Sequence, residues 1–328
     1  MQAPGFWFRD PTSPGVRARI LSPLSLLYAN ATARRLRRPA SAKPNVPVLC
    51  VGNINVGGTG KTPTAIALIE HLQGRAVHVV SRGYGGSMEG PQSVDERRHT
   101  AKQVGDEPLL LAAFAPTWIA KDRAEGVRAA EAAGAEIILL DDGFQNPSVE
   151  KTFSIVVVDA KLGFGNGRVL PAGPLREPVH IGLNRANAIL TIGDSNAQQN
   201  FETLWGDQIS VPRLTASLEP LETGINWQGQ RVLAFAGIGH PEKFFATLRS
   251  LGAELIRAEA LTDHQPLTEG LMKRLELEAM ALDAQMVTTE KDSVRLPTAF
   301  RQKVLTLPVR LKINDTETLS KMLRVIGI

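Results

Sequence analysis

The residues Gly52-Asn-Ile-Asn-Val-Gly-Gly-Thr-Gly-Lys-Thr62 stand between a short apolar run, Val46 to Val51, and a helix-like stretch from Thr62 to Leu72. Strand, glycine-rich turn, Lys-Thr and helix is the order in which a phosphate-binding loop is built. Backbone N–H groups reach phosphate oxygens closely where glycine leaves no Cβ in the way. The nucleotide-binding candidates are therefore Asn55, Gly57, Gly58, Thr59, Gly60, Lys61 and Thr62. Lys61 supplies a point charge for the β- and γ-phosphates, the Thr62 hydroxyl suits Mg²⁺, and the helix N-terminus adds its dipole. The usual G-x4-G-K-[ST] spacing puts a glycine at position 55, where this chain has asparagine. Asparagine enters the left-handed region more readily than most residues, so Asn55 is expected to stand in for that glycine.

Downstream, Ile137-Ile-Leu-Leu-Asp-Asp142 reads as an apolar strand ending in two carboxylates. Beside a phosphate loop that is the arrangement that holds Mg²⁺, directly or through water. The metal candidates are Thr62, Asp141 and Asp142. The guanine-reading [NT]-K-x-D is missing, since Thr289-Glu-Lys-Asp292 has Lys and Asp adjacent. ATP is favoured over GTP.

Positioning such a site takes a parallel sheet with helices on both faces, and the chain alternates accordingly. Strands are expected at 76–80, 117–120, 136–140, 153–158 and 188–192, with helices at 106–114 and 122–132. Residues 208–230 read as a connector, broken at Pro212 and turning at Gly224 and Gly229. A second α/β unit follows, with strands at 231–236, 254–256, 285–288 and 304–311 and helices at 241–251, 268–282 and 316–325. The expected organisation is a basic head at 1–43, a P-loop domain at 44–210, a linker at 211–230 and a smaller α/β domain at 231–328.

The chain has 328 residues, is 43% hydrophobic and 21% charged, and so has material for two packed cores. Its one cysteine, Cys50, excludes a disulfide framework and a Cys-built zinc site, and suits a reducing compartment. No apolar run is long enough to cross a bilayer. The net charge of +4 is uneven. Residues 1–43 carry eight basic side chains against Asp10 alone, a balance of +7 that leaves −3 for the rest. A basic head on a mildly acidic body points to a local anionic partner, not to a nucleic-acid-coating protein. Within the head, Ser22 reads as a helix N-cap and Pro23 as the first helical residue. Leu24, Leu27, Tyr28 and Ala31 then form an apolar stripe ahead of Arg34, Arg35, Arg37 and Arg38. That pattern suits a helix lying in an anionic membrane interface. It equally suits a helix docked on its own domain with a solvated arginine tail.

Several further segments occur in a telling order. They are Ser81-Arg-Gly-Tyr-Gly-Gly86, Val104-Gly-Asp-Glu-Pro108, Asp141-Asp-Gly-Phe-Gln145, Leu170-Pro-Ala-Gly-Pro-Leu-Arg-Glu-Pro178, Ala236-Gly-Ile-Gly239, Asp263-His264 and Thr289-Glu-Lys-Asp292. With the phosphate loop, and with Phe6-Trp7 and Pro23-Leu-Ser-Leu-Leu-Tyr28 in the head, the chain resembles the tetraacyldisaccharide 4′-kinase family. The resemblance spans about residues 4 to 295. It implies transfer of the ATP γ-phosphate to the 4′-hydroxyl of a tetraacylated glucosamine disaccharide 1-phosphate, giving lipid IVA, a step of lipid A biosynthesis. It also implies a peripheral place on the cytoplasmic face of the bacterial inner membrane, and no obligate protein partner is evident.

The resemblance assigns catalysis to Asp106 as general base, with His264 as its partner and Lys61 on the phosphates. Without it, Asp106 reads first as a helix N-cap, and His240, just before a helix, rivals His264. The same resemblance suggests Tyr84, Ser87, Arg123, Gln145 and Arg176 for the lipid's sugar and phosphate. Tyr84 could instead pack on the sheet, and Arg176 could instead pair with Glu177. Asn146 stands where many relatives carry histidine, and Thr289 to Asp292 are candidates for touching adenosine. Alternatives from other classes are a P-loop ATPase of the partition or metal-insertion type and a membrane-recruited ATP-binding scaffold.

Overall fold

The computed structural model describes residues 3–328. Two sheets organise them. The larger contains β1 (Val48–Gly52), β2 (Val77–Ser81), β3 (Gln92–Ser93), β4 (Thr117–Ile119), β5 (Ile137–Asp141), β6 (Phe153–Asp159), β7 (Ala188–Ile192) and β8 (Arg213–Pro220). The smaller contains β9 (Arg231–Ala236), β10 (Glu254–Ala260), β11 (Gln285–Thr289) and β12 (Val304–Leu307), and β13 (Val309–Ile313) returns to the larger. The strand orders are β13-β8-β7-β6-β1-β5-β2-β4-β3 and β10-β9-β11-β12. All pairings are parallel except those of β3 and β13, which close the two edges of the large sheet antiparallel.

The helices are α1 (Gly15–Leu36), α2 (Lys61–His71), α3 (Ala101–Val104), α4 (Asp106–Leu111), α5 (Arg123–Ala132), α6 (Val179–Leu183), α7 (Ser195–Trp205), α8 (Pro241–Ser250), α9 (Glu269–Ala281), α10 (Glu290–Ser293) and α11 (Thr316–Val325). A parallel sheet must be covered on both faces, and β1, β2, β5, β6 and β7 are buried along their whole length. On one face Cys50, Ile138 and Val156 meet α5, α6 and α7. On the other Leu49, Leu139 and Ile155 meet α2 and α11. The smaller sheet is covered by α8 on one face and α9 on the other.

Two expectations about organisation are corrected. β8 lies inside the expected linker at 211–230, because Leu214 and Ala216 complete the large sheet's core, and of that stretch residues 221–230 alone connect the lobes. The smaller domain does not run to 328. The expected strand 304–311 breaks at Pro308, which has no N–H for a ladder. β12 stays in the small sheet, while β13 and α11, with Leu319 and Leu323 buried, belong to the P-loop lobe.

The head helix also differs. α1 starts at Gly15, so Ser22 and Pro23 sit inside it. Ser22 caps nothing; its hydroxyl donates back to the Ala18 carbonyl at 2.8 Å. Pro23 is tolerated on an exposed stretch where water reaches the carbonyl it leaves unpaired.

Candidate functional site

The chemistry gathers at the C-terminal ends of the large sheet's strands. β1 feeds the phosphate loop, and Gly60, at φ +96°, starts α2. A Cβ on Gly60 would stand 2.5 Å from Ile192 Cδ1 at the end of β7, so both conformation and space demand glycine. Inside the loop the Asn53 amide donates to Thr59 Oγ1 at 3.0 Å and the Gly57 carbonyl at 3.3 Å. Outside it, the Val56 N–H donates to the Pro174 carbonyl at 2.8 Å and the Arg176 N–H to the Ile54 carbonyl at 2.7 Å. The segment 174–176 thus clamps the loop and carries Arg176 to its edge. Val56, Gly57 and Gly58 stay exposed. Asn55 does not take the left-handed conformation expected of it. It is buried, bridges Leu175 and donates to the Gly163 carbonyl at 3.0 Å. Its amide therefore braces the loop from below while Gly57 and Gly60 supply the positive φ.

β5 delivers the carboxylate pair. Asp141 is buried and accepts from Ser81 Oγ at 3.0 Å. Burial first, then the charge of Asp142, push its pKa up to about 6. Asp142, at φ +53°, turns toward the loop, with Oδ1 3.7 Å from Lys61 Nζ and 3.6 Å from Arg176 Nη1. That oxygen is buried and accepts no hydrogen bond. An orphaned carboxylate oxygen beside a second buried carboxylate, with the Thr62 hydroxyl next to Lys61 in the first turn of α2, is a donor set that suits a hard divalent cation.

The second cluster forms where the lobes meet. Gly105, at φ +93°, allows α4 to begin against the Tyr84 loop; a Cβ there would stand 2.6 Å from the Tyr84 carbonyl oxygen. Asp106 follows as the first helical residue, and its side chain caps nothing. It is buried, with Oδ2 2.9 Å from His264 Nδ1 and 3.3 Å from Arg295 Nε. His264, in the loop after β10, is itself left-handed at φ +58°. The hydrogen bond to Asp106 raises its pKa from the usual histidine range, against burial and Lys291. Lys291 Nζ lies 3.2 Å from His264 Nε2 and 2.8 Å from Glu107 Oε1. Burial is the largest single influence on Glu107 and acts to raise its pKa, but the charge and hydrogen bond of Lys291, together with His264 and a backbone hydrogen bond, leave that carboxyl below its ordinary range. The rival His240 is exposed at the start of α8.

The remaining candidates divide. Tyr84 is 70% exposed and sets its ring edge-on to His264, centroids 6.0 Å apart, so it does not pack on the sheet. Ser87 is exposed nearby in the chain, its N–H bonded to the Lys102 carbonyl. Arg176 does not pair with Glu177; it accompanies Asp142 and donates to Gln145 Oε1 at 3.2 Å. Gln145 is buried and spends its amide on the Asn53 carbonyl (2.7 Å) and Glu177 Oε1 (3.0 Å). It orients Arg176 rather than facing open space. Arg123 is buried at the start of α5, donating to the Ala120 carbonyl, and burial lowers its pKa against the pull of Asp141. It stands behind the carboxylates. Asn146 caps a turn, accepting from Ser148 N and Oγ at 2.7 Å each.

Thr289 and Asp292 are committed within the small lobe. Thr289 caps α10, and the fully buried Asp292 accepts from the Gly237 N–H and pairs with Arg295. Glu107, Lys291 and Arg295 were not among the residues singled out for catalysis. Glu107 and Lys291 lie within Val104–Pro108 and Thr289–Asp292, the second of which reads only as a candidate for touching adenosine, and Arg295 lies outside every segment singled out.

A family model described as tetraacyldisaccharide-1-P 4′-kinase matches residues 17–326. Proteins named tetraacyldisaccharide 4′-kinase are similar over nearly the whole chain. That of Dinoroseobacter shibae is 60% identical across 98% of this chain and 97% of its own length. That of a Jannaschia species is 62% identical across 96% of each. Among solved structures, LpxK from Aquifex aeolicus in complex with ATP superposes with a TM-score of 0.76 at 26% identity, covering 95% of this chain and 99% of its own.

Proposed function

The chain belongs to the tetraacyldisaccharide-1-P 4′-kinase family, and from that premise we propose how its residues carry the reaction. It is an ATP-dependent kinase that phosphorylates the 4′-hydroxyl of tetraacyldisaccharide 1-phosphate to give lipid IVA, a step of lipid A biosynthesis. The partition-type ATPase and the scaffold are not favoured.

The observation that carries the residue roles is Asp106, buried at the lobe boundary with Oδ2 held by His264 at 2.9 Å. Its Oδ1 is left for the acceptor. Asp106 takes the hydroxyl proton, the sugar oxygen bonds to the γ-phosphorus, and the bond from that phosphorus to the β–γ bridging oxygen breaks, leaving ADP. The loop amides and Lys61 hold the triphosphate. Thr62 and Asp142, with Asp141 behind, would hold Mg²⁺, which when bound neutralises charge across the β- and γ-phosphates. Arg176, oriented by Gln145, and exposed Tyr84 and Ser87 are assigned to the acceptor's phosphate and sugar; Arg123 supports the carboxylates from within. Incubation with γ-labelled ATP and tetraacylated disaccharide 1-phosphate tests the scheme. Label is expected on the lipid, and Asp106→Asn is expected to lower turnover by about 10²- to 10⁴-fold with the KM for ATP little changed. Undiminished turnover would remove Asp106 from the base role.

The acceptor is an amphiphile, and α1 supports a membrane-surface reading. It docks on the body through Ala18, Ser25 and Thr32, while Val16, Ile20, Leu24, Leu26 and Leu27 are each more than half exposed. Arg17, Arg19, Arg34 and Arg35 are exposed on the same helix. The two readings of the head therefore merge, because small residues face the protein and leucines face outward. No helix among the described residues is long and apolar enough to cross a membrane. An interfacial helix rich in arginine should favour anionic lipid. Flotation with phosphatidylglycerol vesicles is expected to retain the protein, and retention equal to that on neutral vesicles would refute the electrostatic part.

A further inference from the structure

Lys291 projects from α10 of the smaller lobe into the catalytic cluster of the larger. An ammonium has three donors and no acceptor. At 3.2 Å its Nζ–H can be received only by an unprotonated His264 Nε2. At 2.9 Å, the Asp106 carboxylate can be approached by His264 Nδ1 only if that nitrogen carries hydrogen. One state of the ring satisfies both contacts: neutral, with its proton on Nδ1. The other tautomer would set a lone pair against the carboxylate and an N–H against the ammonium. The imidazolium would keep the first contact and lose the second.

We propose that Lys291 is a positioning residue that holds His264 as the neutral Nδ1–H tautomer, so that the ring donates to Asp106 while this carboxylate receives the acceptor's proton. The proposal rests on the reading of Asp106 as the base. The charged groups facing the ring divide: Asp106, Asp263 and Glu107, whose Oε1 lies 3.8 Å from Nε2, favour its protonation, and Lys291 opposes it. Glu107 on α4 anchors Lys291 at 2.8 Å, Asp263 lies 3.9 Å from both His264 Nε2 and Lys291 Nζ, and Arg295 stands 3.3 Å from Asp106 Oδ2. Tyr84 offers an uncharged ring. His264 is pulled toward protonation by three carboxylates, and Lys291 is the cation in contact with the ring that opposes them. A cationic histidine bound to Asp106 would make that carboxylate a weaker base, which gives the opposition a use.

The test reads the ring directly in the full chain, labelled with ¹⁵N-histidine, by long-range proton–nitrogen NMR without ligands. Above its titration midpoint His264 is expected to show a protonated Nδ1 and a bare Nε2. In Lys291→Met the midpoint is expected to rise by about one pH unit, the scale of a like charge removed at this distance even under strong screening. Lys291→Arg should restore most of the shift. The acid limb of the kcat profile should move with it, while the KM for ATP stays within about twofold. A wild-type ring protonated on Nε2, a spectrum that needs no variant to fold, would overturn the proposal. So would an unmoved midpoint in Lys291→Met. Full turnover in Asp106→Asn would instead sink the base assignment beneath it, so the two failures are distinguishable.

Discussion

At the scale of single residues the site is costly to the fold. Burial, then the charge of Asp142, hold the Asp141 pKa near 6, above the 3.8 of an ordinary aspartate. The folded chain therefore keeps a proton between about pH 4 and 6 that the unfolded chain has released. A native state that binds more protons loses stability as pH rises through that window, and above it the full penalty, on the order of 3 kcal/mol, persists. Asp141→Asn, measured without divalent cations, is accordingly expected to melt higher than wild type at pH 8, with the gap closing toward pH 4. The same variant should lose turnover and the stabilisation wild type gains from Mg²⁺ with ATP. A wild type that melts higher at pH 8 would contradict the penalty. Motif spacing makes Asp141 and Asp142 legible as a pair, but not which one is sealed in. That follows from β5 ending at Asp141 and from the left-handed turn at Asp142, conformations a sequence does not display. Lys291 was hidden more thoroughly, since its partners Glu107 and His264 come from a different lobe and a different loop.

At the scale of elements, α1 shows why an apolar stripe alone leaves open which way the helix faces. Leucines at helical spacing ordinarily mark the buried face. Here the buried face is Ala18, Ser25 and Thr32, and Ser25 Oγ donates to the Val169 carbonyl at 2.7 Å while accepting from the Ala172 N–H at 3.1 Å. That contact ties the helix to the loop that runs on to Pro174 and Arg176 beside the phosphate loop. Ser25→Ala leaves the buried Ala172 N–H unpaired and is expected to cost about 1–3 kcal/mol by denaturant titration. Leu24→Ser with Leu27→Ser changes exposed positions and should stay within about 0.5 kcal/mol each. Vesicle retention should respond in the opposite order, falling in the leucine double variant and holding in Ser25→Ala. A leucine variant that unfolds as readily as Ser25→Ala would show that the stripe packs on protein. The helix start was misplaced because Pro23 is most at home in a first turn, and nothing in the sequence announces that water on an exposed face excuses it further in.

At the scale of the molecule, alternation of strands and helices made the doubly covered parallel sheet legible, yet the partition between lobes was not. Residues 304–311 have one continuous strand-like composition, and only the pairing of Val304–Leu307 with β11 and of Val309–Ile313 with β8 reveals that the chain changes sheets at Pro308. The lobes are thus joined twice, by residues 221–230 and at Pro308, and clasped by the ion pair of Lys243 on α8 with buried Asp159 at the end of β6, 2.5 Å apart. This double crossing has a thermodynamic signature. Leu323, 2% exposed on α11, packs into the same core as Ile66 and Leu68 of the helix that follows the phosphate loop. If the last residues belonged to an independent small domain, Leu323→Ala would leave the nucleotide site untouched. Their place in the large lobe predicts a loss of about 2–5 kcal/mol in the transition that also abolishes nucleotide binding. Urea unfolding followed in parallel by tryptophan emission and by a fluorescent ATP analogue would show it. Coincident shifts of both curves to lower urea support the shared core, and an ATP curve that stays in place while the other moves would return α11 to the smaller lobe.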